Sequence, residues 1–286
     1  MNIIQIIIIL LLISTLYVKK KIIYNKLRSS QIQIQDLILE PLFYSLIRRS
    51  IFMSILIGGL CGYLSPFGLF NNYIYTTMIS YSILPGAVIA YALGIPFSIG
   101  AFTIGLISLL SVNKLKINYN ANNLLINNIG LILFSLGVIN VSKIKVKIDD
   151  LKRILFGNPL RISKSDFNQT IFISLFILLC LIIMQIISIY PPLLLYILYM
   201  LAILIGLQSV GIILVPALLI IPGCTAKLIT NNLSSMKSIS SFIGIISSVL
   251  GMYISYWYDI GTGVTITLIT GIIYICTIIY KKIIIL

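Results

Sequence analysis

The sequence predicts an all-α fold, a polytopic transmembrane helical bundle of about eight or nine spans plus a short N-terminal anchor helix. Three observations carry that prediction. Of 286 residues, 59% are hydrophobic and only 9% are charged. The mean hydropathy is +1.13, whereas a soluble domain keeps roughly 25% charged residues to cover its surface. Apolar runs of about the 20 residues that cross a bilayer follow one another with short breaks. No stretch is left for a folded soluble domain or a nucleotide-binding domain.

Residues 3–18 are almost wholly apolar and end at Lys19-Lys20-Lys21. A signal peptide carries its positive charge before the apolar stretch and ends in small residues, so this segment reads as the anchor helix. Residues 22–50 are more polar, with the alternation Gln31-Ile32-Gln33-Ile34-Gln35, and read as an interfacial segment. The chain thus divides into an anchor and interfacial part, 1–39, and a transmembrane domain, 40–286. Spans are predicted at 51–70, 73–95, 96–112, 124–142, 169–189, 192–207, 208–226, 238–258 and 262–280. Pro191-Pro192 parts the fifth from the sixth, because neither residue continues a helix. Gly206 to Gly211 breaks the next pair, and Pro222-Gly223 closes the following run. The long polar connection is 143–168. Heavy use of Ile, Asn, Lys and Tyr points to an AT-biased genome, and so to a plastid or other organelle membrane, or a bacterial inner membrane.

The missing residues exclude whole classes of chemistry. There is no His, so imidazole bases and imidazole metal ligands are absent. The six acids are Asp36, Glu40, Asp149, Asp150, Asp166 and Asp259, all in or beside polar stretches. None supplies the paired carboxylates of intramembrane aspartyl chemistry or of a buried proton relay. Cys61, Cys180, Cys224 and Cys276 show no CxxC spacing and read as small apolar side chains. The chain is therefore predicted not to be an enzyme and to bind no cofactor. Its net charge of +14 belongs to connections that meet lipid head groups, not to a nucleic-acid surface. Fourteen of the 20 Lys and Arg lie on the side shared by 19–50 and 143–168, and six on the other. Positive-inside statistics place the first side in the cytosol or stroma.

Three places stand out within the spans. Gly58 and Gly62 form a GxxxG, whose small residues let backbones approach; intramolecular packing is favoured over a dimer face. In the second predicted span Thr77, Ser80 and Tyr81 share one face, with Pro85 and Gly86 following. Proline at 85 frees the carbonyl of Tyr81, which offers either a waypoint for a hard cation or a kinked packing helix. In the second case the hydroxyls bond back to their own backbone. Gln208, Pro216, Pro222 and Gly223 punctuate IGLQSVGIILVPALLIIPGCTAK, where Pro222 bends the span.

Five segments together carry a family resemblance: EPLFYSLIRRS, ILPGAVIAYALGIPFSIGAF, INVSKIKVKIDDLKRILFGNPLRISKSD, LQSVGIILVPALLIIPGCTAKL and SSVLGMYISYWYDIGTG. In order and spacing, Glu40 to about Ile275 resembles the membrane (permease) subunit of zinc/manganese-type metal-ion ABC transporters, and within them the manganese-like branch. The resemblance implies import of a divalent metal ion, manganese or zinc, by alternating access in a homodimer. It also implies an ATP-binding cassette subunit that hydrolyses ATP and a metal-binding receptor protein that delivers the ion. The expected pathway residues are Thr77, Ser80, Tyr81 and Gln208, with Pro85, Gly86 and Pro222 as bend points. Thr77 and Tyr81 stand where the family carries an acid and a histidine. The family's coupling helix, which docks on the ATPase, is reduced here to the few residues before Pro191-Pro192. The resemblance also implies that the ILFGN connection faces away from the ATPase, opposite to the charge statistics. The alternative reading is a degenerate, non-energised member of the same fold, acting as scaffold or passive conduit. A weaker one is a secondary transporter driven by an ion gradient.

Overall fold

The computed structural model describes residues 45–70, 73–119, 123–144, 164–187, 190–209, 211, 215–258 and 260–285. The predicted anchor at 3–18, the interfacial stretch up to residue 44 and the ILFGN connection lie outside them. Among the described residues there are nine helices and no strands. They are α1 (Ser45–Phe70), α2 (Tyr73–Ala92), α3 (Phe97–Tyr119), α4 (Asn123–Ile144), α5 (Lys164–Ile187), α6 (Pro192–Ser209), α7 (Val215–Ile229), α8 (Leu233–Tyr258) and α9 (Thr262–Ile285). Residues Leu46–Leu286 form one compact unit.

The apolar pattern sets where each helix sits. α6 is apolar on all sides, as a helix surrounded by protein must be, and it touches α2, α3, α5 and α7. Its Leu195, Leu198, Tyr199, Met200, Ala202 and Ile203 are fully buried. By contrast α5 exposes a continuous apolar face, Phe172, Leu175, Phe176, Leu179, Ile182 and Ile186. Apolar side chains on the outside of a helix with no polar face belong against lipid. Four helices have segments long and apolar enough to cross a membrane unaided: Ile47–Leu69, Phe167–Ile187, Leu233–Tyr258 and Thr262–Ile283. Shorter apolar stretches, such as Pro192–Leu207 and Val215–Ile229, are enclosed by their neighbours.

Side-chain contacts fix which helix ends lie together. Tyr75 stacks on Tyr196 at 4.5 Å, joining the start of α2 to the start of α6. Phe67 meets Tyr190 at 5.1 Å, adding the end of α1 and the α5–α6 connection. At the opposite end Phe52 of α1 meets Phe167 of α5.

The GxxxG lies inside the bundle. A Cβ on Gly58 would strike Ser248 Oγ and the Gly244 carbonyl of α8, and one on Gly62 would strike the Ser240 carbonyl. Ser241 of α8 donates a hydrogen bond to the Gly59 carbonyl at 3.1 Å. These glycines therefore serve the close antiparallel crossing of α1 and α8. At the α2–α3 turn Gly94 takes a positive φ of 69°, a conformation that glycine adopts without steric cost.

Several boundaries differ from the sequence expectation: 45–50 opens α1 instead of lying in the interface, α5 begins at Lys164 instead of 169, and α7 runs through Pro222-Gly223 to Ile229 instead of closing there. α3 continues through Lys114 and Lys116 to Tyr119, since lysine is a good helix former whose long stem reaches the head groups. α7 starts at Val215 with Pro216 in its first turn, where the missing N–H costs nothing. α8 starts at Leu233, not 238, because Asn232 caps it: its Oδ1 accepts from Ser234 N–H at 3.1 Å. That boundary brings Lys237 inside a helix. Of the cysteines, Cys61 is buried, Cys180 and Cys224 are half-buried and Cys276 is exposed.

Candidate functional site

α2 is the helix that packs most completely. From Tyr75 to Val88 every residue is buried except Thr77 and Tyr81. These two lie four residues apart, and so on one face. The Tyr81 ring meets Phe134 of α4 edge-on at 5.6 Å. Ser80 is buried, and its hydroxyl donates to the Thr76 carbonyl at 2.8 Å. Ser82 likewise donates to the Ile79 carbonyl at 2.8 Å. Such back-bonding satisfies the hydroxyl and tends to bend the helix.

The bend residues sit where three helices meet. Pro85 is buried within α2 and leaves the Tyr81 carbonyl without its usual donor. Gly137 of α4 packs directly on Pro85, and Gly86 packs on Gly100 of α3 so closely that a Cβ on either would meet the other's carbonyl. Pro85 and Gly86 are thus enclosed by glycines of α3 and α4, while Thr77 and Tyr81 earlier in α2 are half-buried. Gln208 lies in α6, with its side chain outside the described residues. It is twelve residues beyond Tyr196, about 18 Å along the axis at 1.5 Å per residue. Tyr81 is only six beyond Tyr75. The two are therefore at different depths.

Next to Pro222, Gly223 packs against a proline that the sequence reading passed over. α1 carries Pro66, and Ser65 beside it bridges to α7. Ser65 Oγ accepts from the Gly223 N–H at 2.8 Å and donates to the Ile220 carbonyl at 3.2 Å. Tyr199 of α6 donates to the Leu64 carbonyl at 2.8 Å. Two proline-containing helices are joined here through one hydroxyl. Pro66 inside an apolar run was the available signal.

A second cluster was also missed. Lys237 of α8 is only 6% exposed, and its Nζ lies 4.7 Å from the Phe67 ring centre, 5.4 Å from Tyr190 and 5.8 Å from Tyr63. Tyr63 in turn donates to Gln185 Oε1 at 2.8 Å. An ammonium among aromatic faces replaces part of its lost hydration by cation–π attraction. Among the described residues no group of three or more His, Cys, Asp or Glu could hold a metal ion.

A multi-helix bundle with a lipid-facing apolar rim and a proline inside three of its helices has the build of an integral membrane protein. The ABC 3 transport family description matches residues 43–190 and 185–281, and the chain belongs to that family. It is similar to the "Manganese transport system membrane protein MntC" of Halalkalibacterium halodurans, 33% identical over 256 residues, covering 82% of this chain and 87% of that one. It is also similar to the "Chelated iron transport system membrane protein YfeC" of Yersinia pestis, 30% identical over 259 residues, covering 84% and 88%. Among solved structures, "PsaBC from Streptococcus pneumoniae in complex with Fab" aligns with a TM-score of 0.75 and 28% identity, over 86% of this chain and 95% of that one. The chain is thus a membrane permease subunit of an ABC transporter and not itself an enzyme. Family membership implies a separate ATP-binding subunit and a substrate-binding protein as its partners.

Proposed function

We propose that two copies of this chain form the membrane pathway of a divalent metal importer whose preferred cargo is manganese. The observation that carries this reading is the pair Thr77 and Tyr81, the open positions on a helix otherwise sealed from Tyr75 to Val88. Hydroxyl-bearing side chains facing outward on so enclosed a helix suit a polar route between two subunits, and not a lipid surface. Ser80 is buried and bonded to the Thr76 carbonyl, so the oxygen beside this pair is the Tyr81 carbonyl that Pro85 frees, with Pro85, Gly86 and Pro222 letting the helices flex.

The chemistry of the lining selects the ion. Hydroxyl and carbonyl oxygens suit hard cations such as Mn²⁺, whereas Zn²⁺ prefers nitrogen and sulfur. Neutral oxygens bind weakly, so the ion keeps some of its water and leaves readily. Manganese, the ion for which the Halalkalibacterium halodurans relative is named, accords with that preference.

Uptake by vesicles containing this chain, with and without a co-reconstituted ATP-binding subunit from the same genome, tests the reading. The expected result is Mn²⁺ uptake that requires ATP and exceeds Zn²⁺ uptake. Uptake indifferent to ATP, or no stable complex with the subunit, supports the scaffold or passive-conduit reading instead.

A further inference from the structure

We propose that Lys237 is a positioning residue for transport: its ammonium, seated among three aromatic rings, clamps the α5–α6 connection to α1 and α8 and so holds the start of α6 where α2 packs on it. This goes beyond the pathway and rests on the permease class alone, not on the choice of ion.

The lysine is buried where it need not be. Lys227, Lys281 and Lys282, near the ends of α7 and α9, are exposed, since a lysine at the end of a span turns its ammonium out to water and head groups. Lys237, in the second turn of α8, has the same choice, because Ser234 one turn earlier and Ser238 beside it are exposed. It turns inward instead. No carboxylate among the described residues pairs with it. Asp166, the acid of α5, lies nineteen residues before Gln185, about 28 Å along the helix axis. A charge enclosed in a membrane bundle without an opposite charge is costly, and its retention marks function.

What holds it is a set of rings from two distant parts of the chain. Tyr63 and Phe67 stand one turn apart on α1 with their centres 6.3 Å apart, and Tyr190 precedes α6. The ammonium lies 4.7 Å from Phe67, 5.4 Å from Tyr190 and 5.8 Å from Tyr63, inside the range in which a ring face holds a cation. Tyr63 also donates to Gln185 of α5. One charge thus joins α8, α1 and the α5–α6 connection.

The clamp stands on firm ground and reaches far. Lys237 lies on the face of α8 that meets α1, three residues before Ser240, whose carbonyl touches Gly62. Ser241 bonds to the Gly59 carbonyl on the same seam. On the other side, Tyr190 leads straight into Pro191-Pro192, whose fixed φ leaves little slack before α6. One turn further, Tyr196 stacks on Tyr75 of α2 at 4.5 Å. The placement of Tyr190 therefore bears on α2, the helix that carries Thr77 and Tyr81.

The test uses the full-length chain, first in detergent and then in vesicles with an ATP-binding subunit encoded in the same genome. Lys237→Met keeps the bulk and removes the charge, whereas Lys237→Arg keeps a charge that also binds ring faces. Hydrogen exchange across 185–196 is expected to quicken about tenfold in Lys237→Met, because the attraction that resists local opening is gone. It is expected to stay near the wild-type rate in Lys237→Arg, and exchange across 262–270 of α9 to stay unchanged in both. The maximal rate of ATP-driven Mn²⁺ uptake is expected to fall about tenfold in Lys237→Met at unchanged half-saturation, with most of it kept by Lys237→Arg. In Lys237→Ala, n-propylammonium replaces the missing part of the side chain and is expected to slow the exchange again, whereas n-propanol is not. That arm stands alone should the methionine variant fail to fold. Wild-type exchange in Lys237→Met, equal quickening across 262–270, rescue by n-propanol as good as by the amine, or an unchanged maximal rate would overturn the proposal. If wild-type vesicles take up no Mn²⁺, the cargo reading falls, and the exchange measurements still decide this one.

Discussion

The polar groups of α2–α4 and those of α1, α7, α8 and α9 are used differently. In α2, α3 and α4 the hydroxyls of Ser80, Ser82, Ser108, Ser111 and Ser135 each bond to a carbonyl of their own helix. In the other region hydroxyls also cross from helix to helix. Ser65 ties α1 to α7, Ser241 ties α8 to α1, and Thr265 of α9 donates to the Gly251 carbonyl of α8 at 2.8 Å. A hydroxyl that bonds at home leaves its helix free to slide on small residues, whereas one that bonds to a neighbour opposes movement. The first region therefore has the means to rock, and the second to stay. Alternating access needs one of each.

The largest expected effect lies in the crossed region. Gly58→Leu forces a side chain into Ser248 and the Gly244 backbone, and should cost about 3 kcal/mol or prevent folding. Melting of the purified protein and its yield report this. Ser65→Ala strands the Gly223 N–H and should cost about 1–3 kcal/mol, the range for a buried donor left unmade. Pro85→Ala works the other way. It restores a helix hydrogen bond and should hold or raise stability while transport slows, because the bend is lost. Smallest of all, Ser80→Ala removes a bond made within one helix and should change the melting free energy by less than about 0.6 kcal/mol. If Ser80→Ala were as damaging as Ser65→Ala, the contrast between the two regions would disappear.

Much of this fold is legible in the sequence, because apolar runs and Pro-Gly breaks report helices directly. Less legible is which helix meets which. Gly58 and Gly62 announce a close approach without saying that α8 is the partner. Lys237 shows the same limit more sharply. Placed before a span that begins at 238, it counts as one more loop charge; with α8 beginning at Leu233 it lies in a box of rings from distant parts of the chain. Only the Asn232 cap, an Asn followed by serines, hinted at that earlier start. The sequence places Thr77, Ser80 and Tyr81 on one face, but only the structure separates the buried Ser80 from its two half-buried neighbours.

The central claim is that Thr77 and Tyr81 face an aqueous route. It is tested most directly by labelling Thr77→Cys, in a chain whose four native cysteines are replaced, with a charged, membrane-impermeant thiol reagent. Ser80→Cys serves as the enclosed control. The account predicts that position 77 reacts, that position 80 does not, and that Mn²⁺ slows the reaction at 77. Reaction at 77 only with a lipid-soluble reagent, unaffected by Mn²⁺, would contradict it.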